Sequence, residues 1–102
     1  MSWIRACSVD DIEDDEGFRI DVVPPIAVFR VDDDYVAVAD TCTHDDSSLA
    51  DGYVDGGQVE CAWHFARFCL RTGAVLSPPA TTPLASYEVR LDGDDVMVHV
   101  PR

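Results

Sequence analysis

Two short segments of the chain each combine a cysteine with a histidine. One residue separates Cys42 from His44, two residues separate Cys61 from His64, and sixteen residues lie between the two segments. Thiolate sulfur and imidazole nitrogen are ligands of transition metals, and four such atoms can bind one metal ion or two neighbouring ones. The spacing therefore predicts a metal centre held by two loops, with these four side chains as ligands.

The order of the ligands bears on the identity of the metal. Zinc fingers usually take two cysteines from one loop and two histidines from another, whereas each segment here is mixed, with the cysteine first. If two such loops face each other, both sulfurs can bind one iron and both nitrogens a second iron, with two sulfides bridging the pair. This is the ligation of a Rieske [2Fe–2S] centre. Structural zinc remains the alternative, and it predicts a colourless protein.

Both segments match the Rieske family pattern, C-x-H followed by C-x-x-H, and the run CTHDDSSLADGYVDGGQVECAWHFARFCLRTGAVLSPPA resembles the small ferredoxins of bacterial aromatic-ring dioxygenase systems. The resemblance implies one [2Fe–2S] cluster per chain, with Cys42 and Cys61 on the inner iron and His44 and His64 on the outer iron. It further implies a one-electron carrier, not an enzyme, that shuttles electrons from an NAD(P)H-dependent flavin reductase to a terminal oxygenase.

The residues around the second segment are expected to keep water from the cluster. Trp63, Phe65 and Phe68 are bulky and apolar, and they would cover the sulfides. By the resemblance, Ala66 and Phe68 stand where high-potential Rieske proteins carry a serine and a tyrosine. Hydrogen bonds to the cluster stabilise its reduced, more negative state, so the missing hydroxyl groups predict a low reduction potential.

A docking patch is expected around the outer histidines. Phe65, Arg67 and Pro78 are predicted to contact a redox partner in a small transient interface, and Asp45 and Asp46 to orient a basic partner. Pro78 and its neighbour Pro79 lack amide donors and are stiff, which suits a third loop that walls the cluster without hydrogen-bonding to it. An ordinary proline turn is the alternative for these two residues.

Short apolar runs, separated by acidic or proline-containing turns, predict an all-β domain. The resemblance implies the Rieske iron–sulfur fold, in which an antiparallel β-sandwich base carries a small cluster-binding β subdomain. We expect a single domain over 1–102, with the base formed by 1–40 and 83–102 and the subdomain by about 41–82. Strands are predicted at 3–9, 18–23, 26–31, 35–39, 58–62, 65–69 and 74–76, followed by a hairpin over 87–91 and 96–100 with one buried face that includes Leu91.

The chain is strongly acidic, with 20 Asp and Glu against 7 Lys and Arg and a net charge of −13. Phosphate backbones require a basic surface, so a nucleic-acid partner is not expected. No apolar run approaches the length of about 20 residues that a membrane helix requires, and the N-terminal residues lack the apolar segment of a signal peptide. We therefore expect no membrane partner and a cytoplasmic location. The acidity indicates either attraction to basic partner surfaces or adaptation to a salty cytoplasm.

The remaining cysteines and histidine are assigned no ligand role. Cys7 and Cys69 stand in apolar, strand-like runs and are expected to be buried free thiols. His99 alternates with apolar residues and is expected to face solvent. The chain has three histidines, so no facial triad of two histidines and a carboxylate remains for a mononuclear iron once two of them bind the cluster. The chain is therefore not expected to be the oxygenase.

Two other roles for a Rieske-like chain stay open. The small subunit of an assimilatory nitrite reductase resembles this sequence, although such relatives can lack the ligands that are intact here. A subunit of a respiratory or arsenite-oxidising complex is also similar, but it is expected to carry an export signal and an additional cysteine in each ligand loop. This chain has Ser47 and Trp63 at those two positions.

The missing hydroxyl groups place the reduction potential at the low end of the Rieske range, near about −150 mV in a span of about −150 to +300 mV. A potentiometric titration followed by absorbance checks this placement. A midpoint above about +100 mV would contradict the interpretation of Ala66 and Phe68 as positions that give the cluster no hydrogen bond.

Overall fold

The structure is a computed structural model that describes residues 2–22, 24–41, 48–61, 66–77 and 83–100. Within these ranges the chain forms β-strands and two 3₁₀ turns, Val9–Asp11 and Leu49–Asp51. The strands are β1 (Ser2–Ser8), β2 (Gly17–Ile20), β3 (Ile26–Val31), β4 (Asp34–Ala39), β5 (Tyr53–Asp55), β6 (Gln58–Glu60), β7 (Arg67–Cys69), β8 (Val75–Ser77), β9 (Ser86–Tyr87), β10 (Val89–Asp92) and β11 (Asp95–Val100). The prediction of an all-β fold is confirmed. In the part of the chain described here, no helix is long and apolar enough to cross a membrane.

The strands form three antiparallel sheets. The outer sheet has the order β1-β11-β10, and the middle sheet has the order β2-β3-β4-β9. The third sheet, β5-β6-β7-β8, is a meander built entirely from residues 53–77. Each of its strands pairs with the next one along the chain, which is the arrangement that short hairpin connections favour.

The middle sheet is buried on both faces. Successive side chains of a strand point to opposite faces, and in β3 Ile26 and Val28 contact the core shared with the outer sheet. Ala27 and Phe29 point the other way, into the core shared with the third sheet. This explains the almost uninterrupted apolar run IAVFRV, which is typical of strands covered on both sides. The three sheets therefore pack as three layers, with the middle sheet supporting the third.

The final hairpin forms, but its first strand begins at Val89, since Tyr87 belongs to β9 of the middle sheet, and the burial of Leu91 also differs from the prediction. β10 and β11 pair from Val89–Val98 to Asp92–Asp95, which leaves a two-residue turn that begins with Gly93. The alternate valines of β11 are fully or almost fully buried, whereas Leu91 is 52% exposed. Leu91 lies near the turn of an edge strand, outside the core that Val89 contacts, so its predicted burial was wrong.

The structure differs from the predictions at two further places, β5 and His99. β5 was not predicted, because its three residues stand between Gly52 and Gly56, where the sequence favours turns. His99 was expected to face open solvent, and it does lie on the outer face of its sheet. However, its ring packs against Trp3, with ring centroids 4.9 Å apart, and the side chain is partly buried.

Gly73 joins the turn after β7 to the base. Its carbonyl oxygen accepts the N–H of Leu84 at 2.8 Å. Its φ is +80°, and a Cβ atom at this position would collide with the main-chain oxygen of Leu84. Only glycine therefore satisfies both the backbone conformation and the close approach of the two chain segments.

We expect Gly73→Ala to lower the free energy of unfolding more than Gly93→Ala. Both glycines have positive φ, which costs a residue with a Cβ about 1–2 kcal/mol. The Cβ at Gly93 would meet no atom within 4 Å, whereas the Cβ at Gly73 would meet main-chain atoms. Urea unfolding of the two variants measures the difference. Equal losses would show that the Leu84 segment moves away at no cost.

Candidate metal centre

The two ends of the first ligand segment meet in the structure. Residues 42–47 lie outside the described ranges, but Thr41 and Ser48 on either side of them form an antiparallel bridge. The preceding residue, Asp40, reinforces this closure: its carbonyl oxygen accepts the N–H of Leu49 at 2.7 Å. The residues on either side of the segment that carries two predicted ligands are therefore neighbours in space.

The second ligand segment is closed in the same manner. Val59 pairs with Phe68 and Glu60 pairs with Arg67 across β6 and β7. The N–H of Cys61 then donates to the carbonyl oxygen of Ala66 at 2.7 Å, which extends the ladder by one further bond. Residues 62–65, outside the described ranges, connect these two residues. In the described part of the chain, Cys61 thus stands at the end of a regular hairpin, where a main-chain hydrogen bond holds it.

The surroundings of Cys61 fit a [2Fe–2S] cluster. Its side chain is fully buried, and it belongs to the apolar core between the middle and third sheets together with Leu49, Ala66 and Phe68. A dry apolar shell controls the access of water to a metal site and sets its local dielectric. A cysteine sulfur in such a shell suits a cluster that must not exchange its ligands with water.

The predicted site residues divide between the described and the other parts of the chain. The structure places Cys61, Ala66 and Phe68 in the core and Arg67 at the surface. The predictions for the remaining residues fall outside the described ranges; these are Cys42, His44, Asp45, Asp46, Trp63, His64, Phe65, Pro78 and Pro79. Because three of the four predicted ligands are among them, the described residues show no group of three or more ligand-type side chains that could hold a metal ion.

Arg67 belongs to a polar row on the exposed face of the third sheet. It pairs with Glu60 through atoms 3.2 Å apart, and Glu60 pairs across the sheet with Tyr53. The Arg67 side chain is 54% exposed, and Tyr53 is 68% exposed. Glu60 directly precedes Cys61, and Arg67 directly follows Ala66. The row therefore adjoins the second ligand segment.

The acidic residues are concentrated at one end of the molecule. The N–H of Val9 donates to the carbonyl oxygen of Asp94, and the N–H of Asp15 donates to the carbonyl oxygen of Arg30. The guanidinium of Arg30 also forms a salt bridge with Asp33. These contacts bring three acidic turns together, and the turns contain twelve of the twenty acids: Asp10, Asp11, Glu13, Asp14, Asp15, Glu16, Asp32, Asp33, Asp34, Asp92, Asp94 and Asp95. We call this region the acidic end.

Both ligand segments close away from the acidic end. Strand β4 begins at Asp34 in the acidic end and finishes beside Asp40, which adjoins the first ligand segment. In the third sheet, Arg71 follows β7 and lies 3.2 Å from Asp34, whereas Ala66 precedes β7. The acids of the second and third turns therefore lie away from the ends of the ligand segments, whereas Glu16 of the first turn precedes Gly17, which packs against Ala50.

The thiols of Cys7 and Cys69 are free and have different surroundings. Cys7 is 1% exposed, and its burial raises the pKa of the thiol. Cys69 is only partly buried, which corrects the expectation of a buried thiol, and a hydrogen bond from Thr72 lowers the pKa of Cys69. The hydroxyl oxygen of Thr72 in turn accepts a hydrogen bond from the N–H of Ala74 at 3.2 Å.

One residue of the site was missed by the sequence reasoning. Asp40 is 1% exposed and is the one buried charged residue in the described ranges. Its carboxylate accepts the Ser48 hydroxyl at 2.8 Å and the N–H of Ala50 at 3.0 Å. The available signal was a carboxylate placed directly after the buried strand YVAVA and two residues before Cys42. In a chain with so many aspartates, that position does not stand out.

A fully buried cysteine at the end of a hairpin, in an apolar core, is compatible with an iron–sulfur domain. Residues 2–88 match the family model described as the Rieske [2Fe-2S] domain. The chain belongs to the Rieske family, and the predicted [2Fe–2S] cofactor is confirmed.

The chain is similar in sequence to ferredoxin subunits. The 3-phenylpropionate/cinnamic acid dioxygenase ferredoxin subunits of Escherichia coli (strain K12) and Shigella flexneri are 43% identical to it, over 99% of this chain and 96% of theirs. Such subunits are electron-transfer components rather than catalytic enzymes. This chain is likewise an electron carrier, as predicted.

Solved structures give the same assignment. The Sphingomonas yanoikuyae B1 ferredoxin superposes with a TM-score of 0.91 and 31% identity, over 98% of this chain and all of that one. A structure of the reduced oxygenase with oxidized ferredoxin of carbazole 1,9a-dioxygenase matches with a TM-score of 0.90 and 38% identity, over 94% and 91% of the two chains. A putative nitrite reductase small subunit from Mycobacterium tuberculosis reaches 0.84 at 22% identity, over 99% and 97%, and shares the fold alone.

We expect Cys69 to react with a thiol reagent before Cys7 does. The thiolate is the reacting form, and Cys69 combines a lowered pKa with partial exposure, whereas Cys7 has a raised pKa and is buried. Labelling at about pH 7.5 followed by peptide mapping gives the order.

Thr72→Val should slow the labelling of Cys69, because the variant lacks the hydroxyl that lowers the thiol pKa. Thr72→Ser keeps the hydroxyl and is the matched control. The effect should shrink as the pH rises above the ordinary thiol value, where both forms are ionised. Equal rates for the two variants at neutral pH would contradict the role of Thr72.

Proposed function

We propose that this chain is the soluble, cytoplasmic ferredoxin of an aromatic-ring dioxygenase system. It takes one electron at a time from an NAD(P)H-dependent flavin reductase and delivers it to a terminal oxygenase. The observation that carries this proposal is the 43% identity to dioxygenase ferredoxin subunits over almost the full length of both chains. A flavin accepts a hydride from NAD(P)H and can release electrons singly, which is the donor that a one-electron carrier requires.

Four side chains of this chain would hold the cluster. By the resemblance, Cys42 and Cys61 would bind one iron, and His44 and His64 would bind the other. When bound, the cluster supplies reversible one-electron storage. Full protein ligation leaves no open position for a substrate, so the electron crosses between proteins without a bond to the metal.

The rest of the chain protects and presents this site. Phe68 and Ala66 keep the inner side of Cys61 dry and supply no hydroxyl group, which supports a low reduction potential. We also propose a single domain in which 41–82 form the cluster-binding subdomain on a base of 1–40 and 83–102. The arrangement of the third sheet, which uses only residues 53–77, supports this division.

The docking surface surrounds the two ligand segments. Arg67 is exposed beside the second segment, and its guanidinium is a charge-bearing contact in an otherwise acidic protein. Phe65, Pro78, Asp45 and Asp46 complete the proposed surface. The acidic end contributes a long-range field, which salt screens.

We expect Arg67→Glu to speed electron delivery to the oxygenase several-fold at low salt while leaving the midpoint potential nearly unchanged, because it adds negative charge opposite a basic partner surface. Rim charges of an interface act mainly on the association rate. Arg5→Glu makes the same charge change at the acidic end, where Arg5 pairs with Asp95 at 2.8 Å, and is the matched control. The rates are measured by stopped flow with the cognate oxygenase and reductase over a range of salt concentrations.

Two outcomes would contradict parts of this proposal. Equal rates for the Arg67 and Arg5 variants would remove the docking surface from the third sheet. A rate that is independent of salt would remove long-range steering by the acidic residues. If the oxidised protein accepts no electron from the reductase, or the reduced protein passes none to the oxygenase, the proposed function itself fails.

A further inference from the structure

The buried carboxylate of Asp40 requires an explanation. An ionised carboxylate is costly to remove from water and persists in a protein interior only where other groups compensate it. Asp40 is 1% exposed, and it lies two residues before Cys42. An apolar residue would fill the same space without that cost, so the retained charge indicates a specific role.

Asp40 forms hydrogen bonds to the residue before β3 and to the 3₁₀ turn that follows the first ligand segment. Its N–H donates to the carbonyl oxygen of Pro25 at 3.0 Å, which fixes the outgoing chain. Its carbonyl oxygen and its Oδ1 atom accept the N–H groups of Leu49 and Ala50, which fix the returning chain. One residue therefore holds the exit and the entry of the segment in a fixed relation.

The Asp40 carboxylate also caps the second 3₁₀ turn, in place of the Ser48 side chain. Ser48 occupies the N-cap position, where a serine side chain ordinarily accepts a main-chain N–H of the turn. Here Ser48 makes no such bond, because its hydroxyl donates to Asp40 at 2.8 Å. Asp40 instead accepts the N–H of Ala50, which a cap would normally satisfy. The start of the turn thus depends on a side chain from the other end of the ligand segment.

The charge of Asp40 is only weakly neutralised. Its Oδ2 atom lies 3.7 Å from the Nε of Arg19, and the Arg19 side chain is 51% exposed. The same guanidinium also pairs with the exposed Asp21 at 3.2 Å. A shared and solvated cation screens the carboxylate incompletely, so much of its negative potential remains in the protein interior.

We propose that Asp40 is a positioning residue for the iron–sulfur cluster. Its carboxylate fixes the returning end of the loop that carries Cys42 and His44, and its buried negative charge lowers the reduction potential of the cluster. A nearby anion stabilises the oxidised cluster relative to the reduced one, because reduction adds a further negative charge. This inference rests on the ligand assignment made under the proposed function.

The test uses two variants of Asp40, one variant of its hydrogen-bond partner Ser48, and a control that makes the same charge change elsewhere. Asp40→Asn keeps an oxygen acceptor but removes the charge, Asp40→Ala removes both, and Ser48→Ala removes one donor. Asp34→Asn makes the same charge change at the other end of β4, about 20 Å away at the usual rise of a strand. Asp34 is exposed, so solvent screens its effect on the cluster.

Three properties of the purified holoproteins are measured: the rate of cluster loss in the presence of an iron chelator, the midpoint potential and the urea unfolding curve. We expect Asp40→Ala to lose its cluster about tenfold faster or more, the usual penalty when a residue that supports a metal ligand is removed. Ser48→Ala should lie between it and the unmodified protein. Asp40→Asn should raise the midpoint potential, whereas Asp34→Asn should leave it unchanged.

Each outcome has a distinct meaning. If the unmodified protein carries no cluster, the proposed function fails. If the unmodified protein carries the cluster, but Asp40→Ala and Ser48→Ala retain it equally well, the positioning role is overturned. If Asp40→Asn and Asp34→Asn have the same potential, the charge effect is overturned, even if Asp40→Asn unfolds more easily. If Asp40→Ala fails to fold, Ser48→Ala still tests the positioning role, and Asp40→Asn still tests the charge effect.

Discussion

A cluster held from two loops requires the protein to close both loops with its own bonds. Here one main-chain bond, from Cys61 to Ala66, completes the second closure, and the Thr41–Ser48 bridge with the Asp40 hydrogen bonds completes the first. These bonds join groups of the fold itself, so the fold holds the ends of both loops together.

The layered architecture places these closures correctly relative to each other. The middle sheet is buried on both faces, so it fixes the third sheet on one side and the outer sheet on the other. Cys61 sits in the core between the middle and third sheets, on the same side as Leu49, which follows the first ligand segment. The acids gather at the opposite end, where their mutual repulsion and hydration do not disturb this dry core.

Sequence reasoning reached the fold class and most strands because these leave a periodic signal, and it reached the Rieske family because the Cys-His motif is specific, whereas the four-ligand assignment stays a prediction. It did not reach the features that depend on three-dimensional placement. The exposure of Leu91 follows from the position of β10 at a sheet edge. Asp40 has the same side chain as fifteen other aspartates, and only the fold shows that it is buried. The cluster-binding part was expected as an insertion over about 41–82, but alternation alone does not show that its sheet packs on the middle sheet.

The central claim is that two cysteine sulfurs and two histidine nitrogens bind a binuclear iron cluster. It is tested most directly by EPR-based hyperfine spectroscopy of the dithionite-reduced protein with isotope-labelled histidine, together with iron and acid-labile sulfide analysis. The account predicts two irons and two sulfides per chain and an unpaired electron coupled to two histidine nitrogens. A single zinc atom without labile sulfide, or a cluster that shows no coupling to histidine nitrogen, would contradict it.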